Sequence, residues 1–391
     1  MQASASETAG LSVRIIDKLN DLDAADWNAL GAADYPFLRY EFLNALEEED
    51  CLGERYGWLP RHVTLWDADN RLVGAVPLYL KFNSYGEFVF DWAWADAYAR
   101  HGLEYYPKLV SASPYTPATG PKLLTHPQAP KNTVRQLIAA TQSLAEQLGV
   151  SSLHWLFTRP DENRALEDTG LLRRVGCQFH WTNHDYADFD AFLATLTSSK
   201  RKNIRKERRR VDDAGVSFRL LDGHTANSKD WATFHRFYES TFDKRGGIPT
   251  LSRRFFERLA DTAPDAVLLV MCDLGSEPVA ASFCLVGPDT LYGRHWGCSE
   301  HVDNLHFEAC YYQGIEFCIR KGLKRFEPGA QGEHKIPRGF LPTETLSAHW
   351  LADPRFRDAI AQHLVHETAG MADYLEEMKS RSPYRNAQDK S

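Results

Sequence analysis

The stretch EPGAQGEHKIPRGF, residues 327–340, gathers two acids, an imidazole and two cations into one loop. A carboxylate or imidazole titrating near neutrality can take a proton from a nucleophile. A lysine, an arginine or a backbone N–H can stabilise the oxyanion that follows attack on a carbonyl. Glycines at 329, 332 and 339 let backbone approach a ligand closely. Glu333, His334 and Lys335 are therefore candidate catalytic residues, with Gln331 and Arg338 as binding groups. The residue types leave open which of them is the general base, and a structural connection is the competing reading of the loop.

Three further stretches carry chemistry. In YGRHWG, residues 292–297, strand alternation predicts Tyr292, Arg294 and Trp296 on one face and His295 on the other. Buried strand faces seldom hold an arginine without a partner, so Arg294 is a candidate anion ligand beside the Trp296 wall. In HFEACYYQGIEFCIRKG, residues 306–322, helical spacing puts Phe307, Cys310, Tyr311, Ile315 and Cys318 on a core face. Glu308, Tyr312 and Glu316 lie on the next face, and His306 is expected to cap the start. The third stretch, SSKRKNIRKERRR, spans residues 198–210 and holds eight basic residues and one glutamate. With Ser198 or Ser199 as N-cap, Lys200, Arg201 and Lys202 fill the first turn. Cations there oppose the helix dipole, at roughly 0.3–1 kcal/mol each. Local rules broken in this way tend to mark function. Free N–H groups plus cations make an anion site, to which Arg205 adds. The competing reading is a solvated basic face paired with acidic neighbours.

These residues need a frame. Strand and helix patterns alternate along the chain, and each half reads as strand, helices, strands, helix, strand. In the first half, strands are expected at 13–16, 62–66, 72–82, 153–157 and 177–182, and helices around Trp27 and at 37–48, 132–147 and 162–172. Residues 83–130, including SASPYTPATGP, read as irregular. In the second half, helices are expected at 189–196, 200–213, 231–242, 252–259 and 307–319, with a long closing helix from Phe356. Strands are expected at 216–221, 267–271, 278–286, 291–296, 324–327 and 343–350. The predicted division is a disordered tail at 1–10, domains at 11–175 and 176–380, and a polar tail at 381–391. The second domain carries the basic helix, 199–213.

The basic stretch with its continuation VDDAGV resembles the helix that opens the second domain of FemAB-like acyltransferases. The likeness extends through FHRFYESTFDKRG, PVAASFCLV, the long run from Leu291 to Phe340 and, in the first half, SPYTPATGP. It implies an α/β (α+β) fold of two tandem GNAT-like domains, with mixed sheets flanked by helices. It also implies an N-acyltransferase that moves an acyl or aminoacyl group onto an amine acceptor, linked to cell-wall precursor synthesis. The amine would attack directly, with no covalent enzyme intermediate. In such folds the helix after the central strand points its N-terminus at the acyl donor, which brings His306 and Glu308 to the site and makes Glu308 a fourth catalytic candidate. GNAT enzymes that use acetyl-CoA carry a Gln/Arg-x-x-Gly-x-Gly/Ala turn for the pyrophosphate. Here GCSEHVDNLHFE stands in its place. That departure favours aminoacyl-tRNA over acyl-CoA as donor, with no permanently bound cofactor. The rivals are an acyl-CoA-dependent transferase acting on a small amine or lipid precursor, and a non-catalytic RNA-binding protein.

Composition sets outer bounds. The 391 residues suit two domains, and a hydrophobic share of 43 % supplies their cores. A net charge of -8 argues against general nucleic-acid binding, so any basic site is local. No apolar run approaches transmembrane length, and MQASASETAG lacks the features of a signal peptide. Seven scattered cysteines without a C-x-x-C pair predict a reduced, cytoplasmic protein. His301, His306 and Glu308 lack a metal-binding spacing, so no metal is expected. There is no Walker A, G-x-G-x-x-G or G-x-S-x-G motif. The oligomeric state is not legible.

Overall fold

The computed structural model describes residues 10–330 and 332–385, and its chain divides into two units. Unit 1 comprises residues up to Gly176 together with Thr345–Met371, and unit 2 comprises Cys177–Glu344 and the segment from Ala372. The expected second domain, 176–380, thus gives up an internal piece to the first. The physical reason lies in strand pairing and apolar cover, both described below. The predicted tail lies outside the described residues up to position 9, as do residues 386–391.

Unit 1 holds two sheets. In the first, β1 (Ser12–Ile16), β3 (His62–Trp66), β4 (Leu72–Val76) and β7 (Leu124–Thr125) lie in the order β1-β3-β4-β7. In the second, β2 (Trp58–Pro60), β5 (Leu78–Lys81), β6 (Lys108–Ser111) and β8 (Ser152–Thr158) lie in that order. Residues 346–351 of a later strand then pair antiparallel with β8, Leu346 opposite Thr158 and Leu351 opposite Ser152. The single strand expected at 72–82 is broken at Pro77, which lacks an N–H, and its halves join different sheets. Helix α4 (Thr133–Leu148) packs Leu137, Ile138 and Ala145 on Leu65, Leu109 and Trp155. The irregular stretch contains a helix, α3 (Trp92–Arg100), whose Trp94 and Tyr98 pack with Phe356, Ile360 and Leu364. That cluster is why residues 354–364 belong to unit 1.

Unit 2 is one mixed layer, β10 (Val216–Leu221), β11 (Val267–Leu274), β12 (Glu277–Val286), β13 (Thr290–Cys298), β14 (Arg325–Glu327) and the end of β9 (Leu172–Thr182), in that order. Two helices, α6 (Phe189–Thr195) and α7 (Ser198–Asp213), lie between β9 and β10 in sequence. Helices α8 (Ser228–Arg245) and α9 (Arg253–Thr262) bring Phe234, Tyr238 and Phe256 against Phe283 and His295. A helical run then follows β13. It opens as α10 (Leu305–Phe307), passes through one π-turn at Glu308–Tyr312 and continues as α11 (Gln313–Lys321). Tyr311, Ile315 and Cys318 from this run share a core with Ile204 of α7, Leu291 and Phe326. The long strand β15 (Leu341–Leu351) and helix α12 (Pro354–Ser380) close the chain and contribute to both units.

Candidate active site

All of the described candidate residues lie in unit 2. Their frame is a parallel pair, β13 with β14, matched over Thr290–Tyr292 and Arg325–Glu327. β14 stops at Glu327, whereas β13 runs on to Cys298. The two strands therefore part at their carboxyl ends, the place where open α/β sheets bind ligands. A bulge accompanies the parting. Phe283 is opposite His295 and Cys284 is opposite Gly293, so Arg294 is an extra residue in β13. This overturns the expected single face for Tyr292, Arg294 and Trp296. Leu291 packs on Ile315, and Trp296, an odd number of positions later, packs on the same helical run with its ring 5.4 Å from His306. The bulge has reversed the alternation between them. Gly297 is needed here because a Cβ would stand 2.0 Å from the Phe237 carbonyl oxygen of α8.

The catalytic loop expected at 327–340 contains a short 3-10 turn, Glu333–Arg338, set between Gly332 at φ 115° and Gly339 at φ 97°. The turn points Lys335 inward. Its Nζ donates to the Gly329 oxygen at 2.7 Å and to the Ala330 oxygen at 3.4 Å. Among the described residues no carboxylate pairs with it. Burial lowers its pKa to about 8, offset in part by the Cys310 thiol. His334, next to it, is more exposed, and its Nε2 is 2.8 Å from the Tyr311 hydroxyl. Burial, then the Lys335 and Arg338 charges, lower the imidazole pKa, so the ring is neutral at neutral pH. Glu333 faces outward to Arg381 at 2.8 Å and the Tyr374 hydroxyl at 3.2 Å. Gln331 lies outside the described residues.

Arg338 closes the turn. Its Nη2 and Nε donate to the two oxygens of Glu207 in α7, at 2.7 and 3.2 Å. Its Nη1 donates to the His334 carbonyl at 2.5 Å, and the guanidinium lies 3.4 Å from the centre of the Phe307 ring. The Tyr312 hydroxyl also donates to Glu207. One residue on, Arg208 grips both oxygens of Glu308 at 3.0 Å and reaches Glu316 at 2.7 Å. Gln313 adds a bond to Glu308 at 2.8 Å, across the five-residue spacing of the π-turn. Burial raises the Glu308 pKa although Arg208 opposes it.

The remaining candidates sit around this cluster. His306 does not hold the cap position of its helix; Asn304, in left-handed conformation at φ 66°, holds it without a side-chain capping bond. The N-cap of α7 is Thr197, not Ser198 or Ser199, and its side chain makes no capping bond. Lys200 and Arg201 stand half-exposed in the first turn and, among the described residues, pair with no carboxylate. Arg205 makes an exposed ion pair with Asp190 at 2.7 Å. Ile204 and Val211 are the buried residues of α7, as their spacing predicts. The structure thus links Tyr312, Arg338 and the His334 carbonyl through Glu207, places Lys335 in the same turn, holds Glu308 separately on Arg208 and Gln313, and leaves Lys200 and Arg201 at the helix start. Sequence reasoning missed Glu207, Arg208 and Tyr311. The one available signal was that Glu207 is the lone acid of the basic stretch.

Unit 1 holds a polar cluster with no counterpart among the expected sites. Lys108 donates to Ser84, Glu87 and Asp91 at 2.9, 2.8 and 2.5 Å. Tyr105, His154 and His349 extend it, the two rings joined between Nδ1 atoms at 2.7 Å. It is sealed, with Lys108 fully buried, so it belongs to the scaffold.

The model of the FemAB-like family, peptidoglycan biosynthesis/recognition, matches residues 18–386. No curated protein matches the sequence. Among solved structures, FemX aligns over 87 % of this chain and 98 % of its own, at a TM-score of 0.54 and 11 % identity. The C-terminal domain of a putative lysylphosphatidylglycerol synthetase from Agrobacterium fabrum aligns over 88 % and 96 %, at 0.51 and 7 %. A tandem GNAT protein from the clavulanic acid biosynthesis pathway aligns over 88 % and 99 %, at 0.45 and 12 %. At such identities the likeness is one of fold.

Proposed function

The chain belongs to the FemAB-like family, and from that premise we propose that it is an N-acyltransferase that moves an aminoacyl group from a charged tRNA onto an amine of a cell-wall precursor. The observation that carries the reading is Lys335, a buried ammonium whose partners among the described residues are carbonyls alone, held beside the parted carboxyl ends of β13 and β14. A cation so placed, short of a carboxylate, is fitted to receive a developing oxyanion. The acceptor amine attacks the acyl carbonyl, and a C–N bond forms. Lys335 stabilises the oxyanion. His334, neutral and oriented by Tyr311, takes the proton lost by the amine. Collapse breaks the C–O bond to the tRNA ribose, and the leaving oxygen takes a proton. In this reading Glu308 and Glu333 are positioning groups, because Arg208 and Arg381 already hold them. Lys200, Arg201 and Arg205 meet donor phosphate at the start of α7, while Arg294 and Trp296 line the gap.

A titration of the protein with charged tRNA, uncharged tRNA, acetyl-CoA and a long-chain acyl-CoA, at two salt concentrations, tests this. Tight, salt-sensitive binding of charged tRNA and label transfer to an amine acceptor are expected. Saturable acyl-CoA binding without tRNA binding sinks the tRNA donor. RNA binding with no turnover, unaffected by Lys335→Met, sinks the catalytic reading.

A further inference from the structure

We propose that Glu207 is the positioning residue that sets the Lys335 turn, so that the basic helix and the reacting centre are registered through one carboxylate; this rests on the acyl-transfer reading above. A solvated basic helix would turn the lone acid of its basic stretch to water or to a neighbouring cation on its own face. Glu207 instead faces two other elements, the 3-10 turn and the helical run after β13. It takes both donors of Arg338 and the hydroxyl of Tyr312. Arg338 cannot swing away, because its third donor is on the His334 carbonyl and its plane rests on Phe307. His334 precedes Lys335 and Arg338 follows it, so the carboxylate fixes the segment on both sides of the lysine. Bidentate arginine–carboxylate pairs fix angle as well as distance. Tyr312 neighbours Tyr311, whose hydroxyl holds the His334 ring, so proton acceptor and cation share one support. The adjacent Arg208 lacks this reach, since its partners are Glu308 and Glu316 on the helical run. Misplacing a reacting group by about 1 Å can cost on the order of 10²-fold in rate.

The test uses the full chain with Glu207→Gln, which keeps the shape and removes the charge. Two readouts are taken: kcat and KM for transfer, and the rate at which an amine-specific reagent labels Lys335, followed by peptide mapping. Expected are a kcat lower by on the order of 10²-fold with KM for the donor unchanged, and faster labelling of Lys335. If Glu207→Gln does not fold, Tyr312→Phe, which removes one donor to the same carboxylate, must shift both readouts in the same direction to a smaller extent. Wild-type values of kcat and labelling in the folded variant overturn the proposal. If the wild-type protein transfers no acyl group, faster labelling in Glu207→Gln still supports the clamp while the transfer reading falls; unchanged labelling ends both.

Discussion

Lys335 holds its charge where the described residues give it no carboxylate, and that has a stability consequence with a definite sign. Burial sets its folded pKa at about 8, below the ordinary 10.5. The unfolded chain therefore binds the extra proton more readily, and stability rises with pH between about 8 and 10.5. Below pH 8 the cost is complete, on the order of 3 kcal/mol. Lys335→Met, which keeps the length and removes the cation, should raise Tm at pH 7 and lose that advantage above pH 10, while transfer activity falls by about 10²–10³-fold. Calorimetry across pH and a transfer assay check the two halves. A lower Tm at pH 7 would show that the ammonium stabilises the fold. The buried group of unit 1 gives the complementary case. Burial raises Glu87 to about 7, while Asp91, pushed up by burial but held down by Lys108 and His154, stays near 2. Glu87 therefore penalises the fold as pH rises through 7, and Asp91 supports it at any pH well above 2. Glu87→Gln should be neutral or stabilising at pH 8. Asp91→Asn should cost about 3 kcal/mol, because Lys108 loses the nearer and more readily ionised of its two carboxylates. Urea unfolding at pH 8 separates the pair, and equal losses would contradict the assignment.

The elements that carry the site were readable to different depths. The helices at 198–213 and 305–321 follow from apolar spacing, and Ile204 and Val211 are buried as that spacing requires. The strands from Val267 to Cys298 follow from runs of β-branched and aromatic residues. The bulge at Arg294 was not legible, because a one-residue shift between neighbouring strands leaves no mark in either strand alone. Helix α3 was hidden by its composition. WAWADAYAR has aromatics at two-residue spacing, and its buried face is only Trp94 and Tyr98. Strand β6 was hidden because KLVS buries a lysine and a serine. The inward turn of Glu207 was invisible for a related reason, since its partner Arg338 lies far along the chain. Gly297 tests the element-level account of β13. An added Cβ would meet backbone of α8, which cannot move as a side-chain tip can. Gly297→Ala should therefore cost about 3 kcal/mol by overpacking and displace the segment that bears Arg294 and Trp296. Denaturant unfolding measures the first effect, and reduced donor affinity the second. A variant as stable as the wild type would mean that α8 yields.

The division of the whole chain was the least legible feature, because no boundary coincides with a linker. The chain leaves unit 1 within β9, returns within β15 and leaves again within α12, and each of these is one continuous element. Composition, glycine, proline and charge give no signal at such points. What assigns residues 345–371 to unit 1 is pairing and cover. Leu346–Leu351 satisfies the outer edge of β8, and His349 meets His154 inside the polar cluster. Leu351, Phe356, Ile360 and Leu364 then close the core over Trp94, Tyr98 and Tyr105. A fragment of residues 11–176 lacks all of these. It presents an open strand edge, four missing core side chains and a half-satisfied polar group, and each of these is by itself a severe defect. That fragment should be aggregated or loosely packed, with far-UV but no near-UV circular dichroism. The same fragment joined through a flexible linker to residues 345–371 should regain near-UV signal and unfold in one cooperative urea transition. Cooperative unfolding of 11–176 alone would mean that its own sheets hold unit 1 and that the returning segment adds only cover. Failure of the joined fragment would mean that unit 1 needs unit 2 to fold, and would make the two halves one thermodynamic body.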